Sequence, residues 1–182
     1  MGMYTHTNQK LIQLIVILYF MPEITSKFEF TNIICNCVDE KFCAMDYCYL
    51  KSVNRSYKYL SVKVHLLQPP ITNAKVNFAM YKRFSGYKPF LYNITVDGCK
   101  LLKNRKYNPV ANYFFGFFKT LSNLNHSCPY HEDIIVDKVT SNIINHHATA
   151  VLPFPEGDYL VESHWFIDDI ERAVFKVFGT LS

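Results

Sequence analysis

Chemistry in this 182-residue chain would have to come from its six cysteines, its seven histidines and a thin scatter of carboxylates. Cys35, Cys37, Cys43 and Cys48 crowd into a short stretch, with Cys99 and Cys128 far downstream. The spacing C-x-C-x5-C-x4-C lacks the paired C-x2-C knuckles of common structural zinc sites, so no metal is expected. An even number of cysteines reads instead as a disulfide framework, for which the spacing leaves fifteen pairings open. The preferred set is Cys35–Cys48 and Cys99–Cys128, with Cys37–Cys43 closing a small inner loop.

Catalysis needs a nucleophile, a base and an orienting group, or a paired acid and base, in one place. The sequence has no Gly-x-Ser-x-Gly, no His-Glu-x-x-His and no phosphate-binding glycine loop. His146-His147 suggests a metal pair with His126 or His131, yet adjacent residues of a strand point to opposite faces. Asp168-Asp169 follows a strand pattern and reads as a turn. We therefore expect a non-enzymatic protein without a cofactor.

Large apolar side chains are abundant, with Phe, Tyr and Trp at 16% of the chain. Some of these could line a space for an apolar ligand, whose burial contributes about 25 cal/mol per Å² without any catalytic group. The candidates are Val64, Leu66, Phe78, Met80, Leu91, Phe114, Phe117 and Trp165, each of which also reads as plain core.

The elements that would position them are mostly strands. Lys27–Ile34, Tyr47–Val53, Tyr57–Leu67, Ile71–Phe84, Pro89–Asp97, Glu132–Thr140, Asp158–Asp168 and Arg172–Gly179 are rich in aromatic and β-branched residues. Val62, Val64 and Leu66 alternate with Ser61, Lys63 and His65, the two-residue period of a strand with one face in the core. Seven or eight such strands with turn signals between them predict an all-β, immunoglobulin-like antiparallel sandwich. Only a short proline-containing link separates Tyr57–Leu67 from Ile71–Phe84, so these two are expected to pair.

One helix is expected at Pro109–Ser122. Asn108 would be its N-cap and Pro109 its first residue, and Val110, Tyr113, Phe114, Phe117, Phe118 and Leu121 recur at helical spacing. A Cys99–Cys128 bond would pin both ends of this insertion.

The start of the chain reads as a targeting segment. Lys10 precedes the apolar run Leu11–Met21, which Pro22 ends. That run is shorter than the roughly 20 residues of a spanning helix but suits a signal-peptide core, with cleavage near Thr25 or Ser26. A buried or anchoring helix is the rival reading. Residues 1–26 are thus expected to be a signal peptide and 27–182 a single domain, with no spanning segment in the mature chain. The sequons Asn54-Arg-Ser56, Asn93-Ile-Thr95 and Asn125-His-Ser127 agree with an extracellular location. The formal charge of +4 is spread over Lys82-Arg83, Lys88 and Lys100–Lys106 between aromatics and turns, unlike the dense basic face of a nucleic-acid binder.

Several blocks resemble a known family. Phe30-Thr-Asn-Ile33 with Cys35, Cys48-Tyr-Leu-Lys51 with Asn54-Arg55, Gly86–Asn93, Asp97-Gly-Cys99, Asn108-Pro109, Ser122–Tyr130, Leu152-Pro153 and Pro155–Tyr159 resemble a large insect family of secreted proteins known as a domain of unknown function. Cys37 and Cys43 stand outside that pattern. The family is similar in architecture to the ML lipid-recognition proteins and the ganglioside activator. That resemblance implies a secreted sandwich holding a lipid or chemical signal between its sheets, and it brings no catalytic residues. The alternative expectation is a filled, secreted interaction module that binds a receptor or another extracellular protein.

Overall fold

The computed structural model describes Gln13 and residues 27–54, 57–145 and 154–182. The segment 1–26, apart from Gln13, Arg55-Ser56 of the first sequon, His146-His147 and Leu152-Pro153 lie outside the described residues.

Among the described residues eight strands form two antiparallel sheets, as the alternating patterns require: β1 Phe28–Cys37, β2 Cys43–Ser52, β3 Lys58–Leu66, β4 Lys75–Arg83, β5 Tyr87–Asp97, β6 Ile134–Thr140, β7 Gly157–Ile167 and β8 Ile170–Leu181. The larger sheet runs β1-β8-β7-β4-β5 and the smaller β2-β3-β6. The main core lies between them, where Val62, Val64, Leu66 and Ile71 meet Ile167, Ala173, Trp165 and Phe175. β3 is central in its sheet and buries its inner face, with Tyr59 and Ser61 buried on the outer side as well. Ser61, fully buried on the outer side, donates to Asp137 Oδ1 at 2.8 Å and accepts from the Lys138 N–H at 3.0 Å. A buried hydroxyl needs such partners. Asp168 and Asp169 form the two-residue β7–β8 turn, both at positive φ (54° and 62°), the geometry a tight hairpin demands.

The expected pairing of Tyr57–Leu67 with Ile71–Phe84 is overturned: β3 and β4 belong to different sheets. Residues 67–74 cross the sandwich instead of turning back. Leu67 N–H donates to Phe42 O just ahead of β2, buried Ile71 exchanges two backbone hydrogen bonds with Tyr130, and Ala74 O accepts from the Gly98 N–H just after β5 at 2.7 Å, so the link is anchored beside both sheets. Pro69 and Pro70 have no N–H to offer a hairpin ladder.

Three disulfides are formed, Cys35–Cys48, Cys37–Cys43 and Cys99–Cys128. The first two join β1 to β2 and so tie one sheet to the other along one edge of the sandwich.

The expected single helix Pro109–Ser122 is shorter and has company. A helix α1, Gly98–Lys103, precedes it, capped by Asp97, whose carboxylate accepts from Lys100 N–H at 2.9 Å. Helix α2 covers Pro109–Gly116, with Asn108 accepting from Ala111 N–H at 2.9 Å. It ends there because Gly116 is a poor helix former and Phe118 leaves helical geometry (φ −129°, ψ 0°), after which Lys119–Leu121 form a 3-10 turn. The break lets Phe118 fold back edge-on to Phe115, ring centroids 5.2 Å apart, and both join the core.

Candidate functional site

At the edge opposite the β1–β2 junction, β5 pairs only with β4, and α2 lies over both. Successive residues of α2 face different ways. Phe115 is buried in the main core under the Arg105 guanidinium, 4.4 Å from its ring centroid. Phe114 lies against Phe78 of β4 at 4.3 Å and Tyr92 of β5 at 5.6 Å. Tyr113 and Phe117 continue the ring contacts at 5.3 Å and 5.7 Å from Phe114.

From Phe78 the apolar surface runs along the inner face of the larger sheet toward the β4–β5 turn. Met80, Tyr159 and Leu181 form its buried floor, with Phe28, Phe90, Phe154 and Val161 half-buried around them. Alternation in β4 then brings Lys82 to the same face as Phe78 and Met80. Its ammonium stands 5.6 Å from the Tyr159 ring, 5.9 Å from Phe90 and 5.8 Å from Phe84, and donates to Pro155 O at 3.4 Å. The Tyr159 hydroxyl donates to the same carbonyl. Gly157, at φ +139°, makes room: a Cβ there would stand 2.9 Å from Lys82 Cε. Burial pushes the Tyr159 and Tyr113 phenols above their ordinary pKa, and for Tyr113 the charge of Tyr92 adds to it.

Of the residues singled out from sequence, Phe78, Met80, Phe114 and Phe117 are brought together here. Val64, Leu66 and Trp165 lie instead in the main core, where Trp165 Nε1 donates to Ser163 Oγ at 3.1 Å. Leu91 is 63% exposed and faces solvent, in place of its expected inward position. Alternation is the reason: Leu91 shares the parity of exposed Asn93 and Thr95, and the bulge opposite Ala79–Tyr81, where Leu91 takes φ 59°, adds two residues on β5 and so leaves that parity unchanged. Phe90 and Tyr92, its neighbours, face inward in its stead. Sequence reading also passed over Lys82 and Tyr159, although each sits two residues from an inward apolar neighbour.

The remaining features lie elsewhere. A surface depression of about 340 Å³ at the far end of β4 is lined by Asn73, Ala74, Lys75, Asp97, Asp168 and Asp169. Its carboxylates are engaged: Asp97 caps α1, Asp168 accepts from Asn73, and Asp169 pairs with Lys75. Asn54, Asn93 and Asn125 are exposed, Asn93 accepting from Asn77 Nδ2 at 3.0 Å. Among the described residues no group of His, Cys, Asp and Glu is placed to hold a metal ion, and no helix is long and apolar enough to cross a membrane.

No curated protein matches the chain. Residues 76–161, which run from β4 into β7 and include the whole aromatic cluster except Phe28 and Leu181, match a family described as "Protein of unknown function (DUF1091)".

Proposed function

We propose that this chain is a secreted, non-enzymatic binding protein for a small hydrophobic ligand, a lipid or chemical signal, taken up at the edge where α2 meets β4, β5 and β7. The observation that carries this reading is the run of half-buried rings at that edge, Phe78, Phe90, Tyr92, Phe114 and Phe154, over a floor of Met80 and Tyr159. Aromatic surface left part-exposed in one place gains free energy when an alkyl chain covers it. The expected ligand position thereby shifts from the centre of the sandwich, where Val64, Leu66 and Trp165 pack, to its α2 edge.

Three disulfides accord with an oxidising compartment. Expression in a eukaryotic secretory host tests both halves of the proposal. The medium should contain protein lacking residues 1–26 and bearing glycans on Asn54, Asn93 or Asn125, and native mass spectrometry should show a retained apolar molecule. An intracellular product, or a secreted protein that stays empty and takes up no lipid, would refute the corresponding half.

A second reading, a receptor-binding module, is favoured by the outer face of the smaller sheet. There Tyr47, Tyr49, Tyr59 and Tyr57 form a row with ring centroids 5.7, 6.3 and 6.1 Å apart. Tyrosine is enriched in protein interfaces. Capture of an extracellular partner that Tyr49→Ala abolishes, with lipid uptake absent, would establish this reading over the first.

A further inference from the structure

We infer that the aromatic site takes a single-chain anionic amphiphile, its alkyl chain along Phe114, Phe78 and Met80 and its headgroup at the Lys82 ammonium. This rests on the apolar-ligand reading above and adds to it the chemistry of the head.

The argument begins with the placement of one charge. Lys82 occupies the inward parity of β4, following Phe78 and Met80, where an apolar residue would continue the pattern. Its ammonium is surrounded by the rings of Phe84, Phe90 and Tyr159 and meets one carbonyl, Pro155 O. Among the described residues no carboxylate pairs with it, whereas neighbouring Arg83 pairs with Asp158 at 3.6 Å. Three ring faces and a carbonyl stabilise a cation but leave its charge uncancelled, so an anion arriving beside it meets a donor already stripped of part of its water. Gly157 keeps the Lys82 stem against the sheet by presenting no side chain.

The second element is the direction of the surface. From Lys82 the floor passes Tyr159 and Met80 to Phe78 and ends under Phe114 of α2, a continuous apolar track with the Lys82 ammonium at its start, while the Arg105 guanidinium near α2 is turned to Phe115 in the main core. That polarity matches a molecule with an anionic head and one alkyl tail, and it disfavours a neutral alcohol or a cationic head.

Calorimetric titration of the full secreted protein with dodecanoate, dodecanol and dodecyltrimethylammonium at neutral pH tests this. Dodecanoate should bind about tenfold more tightly than dodecanol, the discrimination expected of one charge-assisted contact, and the ammonium amphiphile should bind worst. Lys82→Met should abolish the preference for dodecanoate over dodecanol, and Lys82→Arg should preserve it. If Lys82→Met does not fold, the native protein still decides: added salt should weaken dodecanoate and spare dodecanol. Equal binding of acid and alcohol, a preference that survives Lys82→Met or is insensitive to salt, or tightest binding of the cation would overturn the headgroup assignment and leave the apolar-ligand reading standing. Failure of all three probes to bind would remove both.

Discussion

The two edges of the sandwich are built by opposite means. Along one, β1 and β2 lie against each other, Cys35–Cys48 and Cys37–Cys43 bond one sheet to the other, and Arg172 pairs with Asp39 over the Phe42 ring. The Val38 N–H adds a backbone bond to Arg172 O at 2.8 Å. Along the other edge no disulfide joins the two sheets among the described residues, and the gap is filled by a helical insertion whose side chains divide between core and surface. Covalent closure at one side permits a looser arrangement at the other, because the sheets are already held at a fixed spacing. Ligand uptake, where it requires side chains to move apart, costs least at the edge that no covalent bond closes.

Neighbouring residues of α2 offer the sharpest way to break this comparison. Phe115 is 7% exposed in the main core, so Phe115→Ala should cost about 3–5 kcal/mol, the range for truncating a buried Phe. Urea unfolding would measure it, and a cost equal to that at Phe114 would dissolve the distinction between the two faces of the helix.

The disulfides come next. Replacing Cys99 and Cys128 together, which span 29 residues, should lower stability by about 3–4 kcal/mol in the chain-entropy model, against about 2 kcal/mol for Cys37 and Cys43 across 6 residues. The first pair should also reduce ligand uptake, since it anchors the insertion, and the second should leave uptake intact. Uptake lost equally in both would mean that the closed edge takes part in the site.

Phe114→Ala should cost only about 1–2 kcal/mol, less than a fully buried Phe, because its ring is half-buried. Uptake should fall by a larger factor than stability. Unchanged uptake at reduced stability would return Phe114 to the role of packing.

The smallest effect is a pH dependence. Burial raises the pKa of Tyr113, Tyr130 and Tyr159 above the ordinary value of 10.0. A raised phenol favours the protonated folded state, so this stabilisation is complete below that ordinary value and is lost as pH rises through the folded-state values. Spectrophotometric titration should therefore show these tyrosines ionising late, together with alkaline unfolding, and Tyr159→Phe should reduce that pH dependence. Early, reversible ionisation of all tyrosines in the intact fold would contradict it.

How much of this was legible beforehand depended on whether a neighbour in sequence or a neighbour in space decided the feature. The strands could be read because alternation follows from the pleat itself, and Asn108-Pro109 and Asp168-Asp169 because capping and turn geometry involve only adjacent residues. Asp97-Gly98 carried the same kind of signal and was missed, since its helix is a single short segment ending at Lys103. Leu91 is apolar yet shares the parity of Asn93 and Thr95 on the outer face, so the period of β5 and not the residue type carried the signal there.

By itself, then, the sequence determined the all-β class, the strand positions, the helical insertion and the supply of aromatic side chains, all of which follow from local periodicity and local hydrogen bonding. Tertiary structure alone decided that β3 and β4 belong to opposite sheets, because a proline-containing link serves a crossover as well as a turn until Ile71 finds Tyr130. It also decided which aromatics are core and which stand half-buried beside Lys82, since burial is a property of what the rest of the chain places on top of a residue and not of the residue itself.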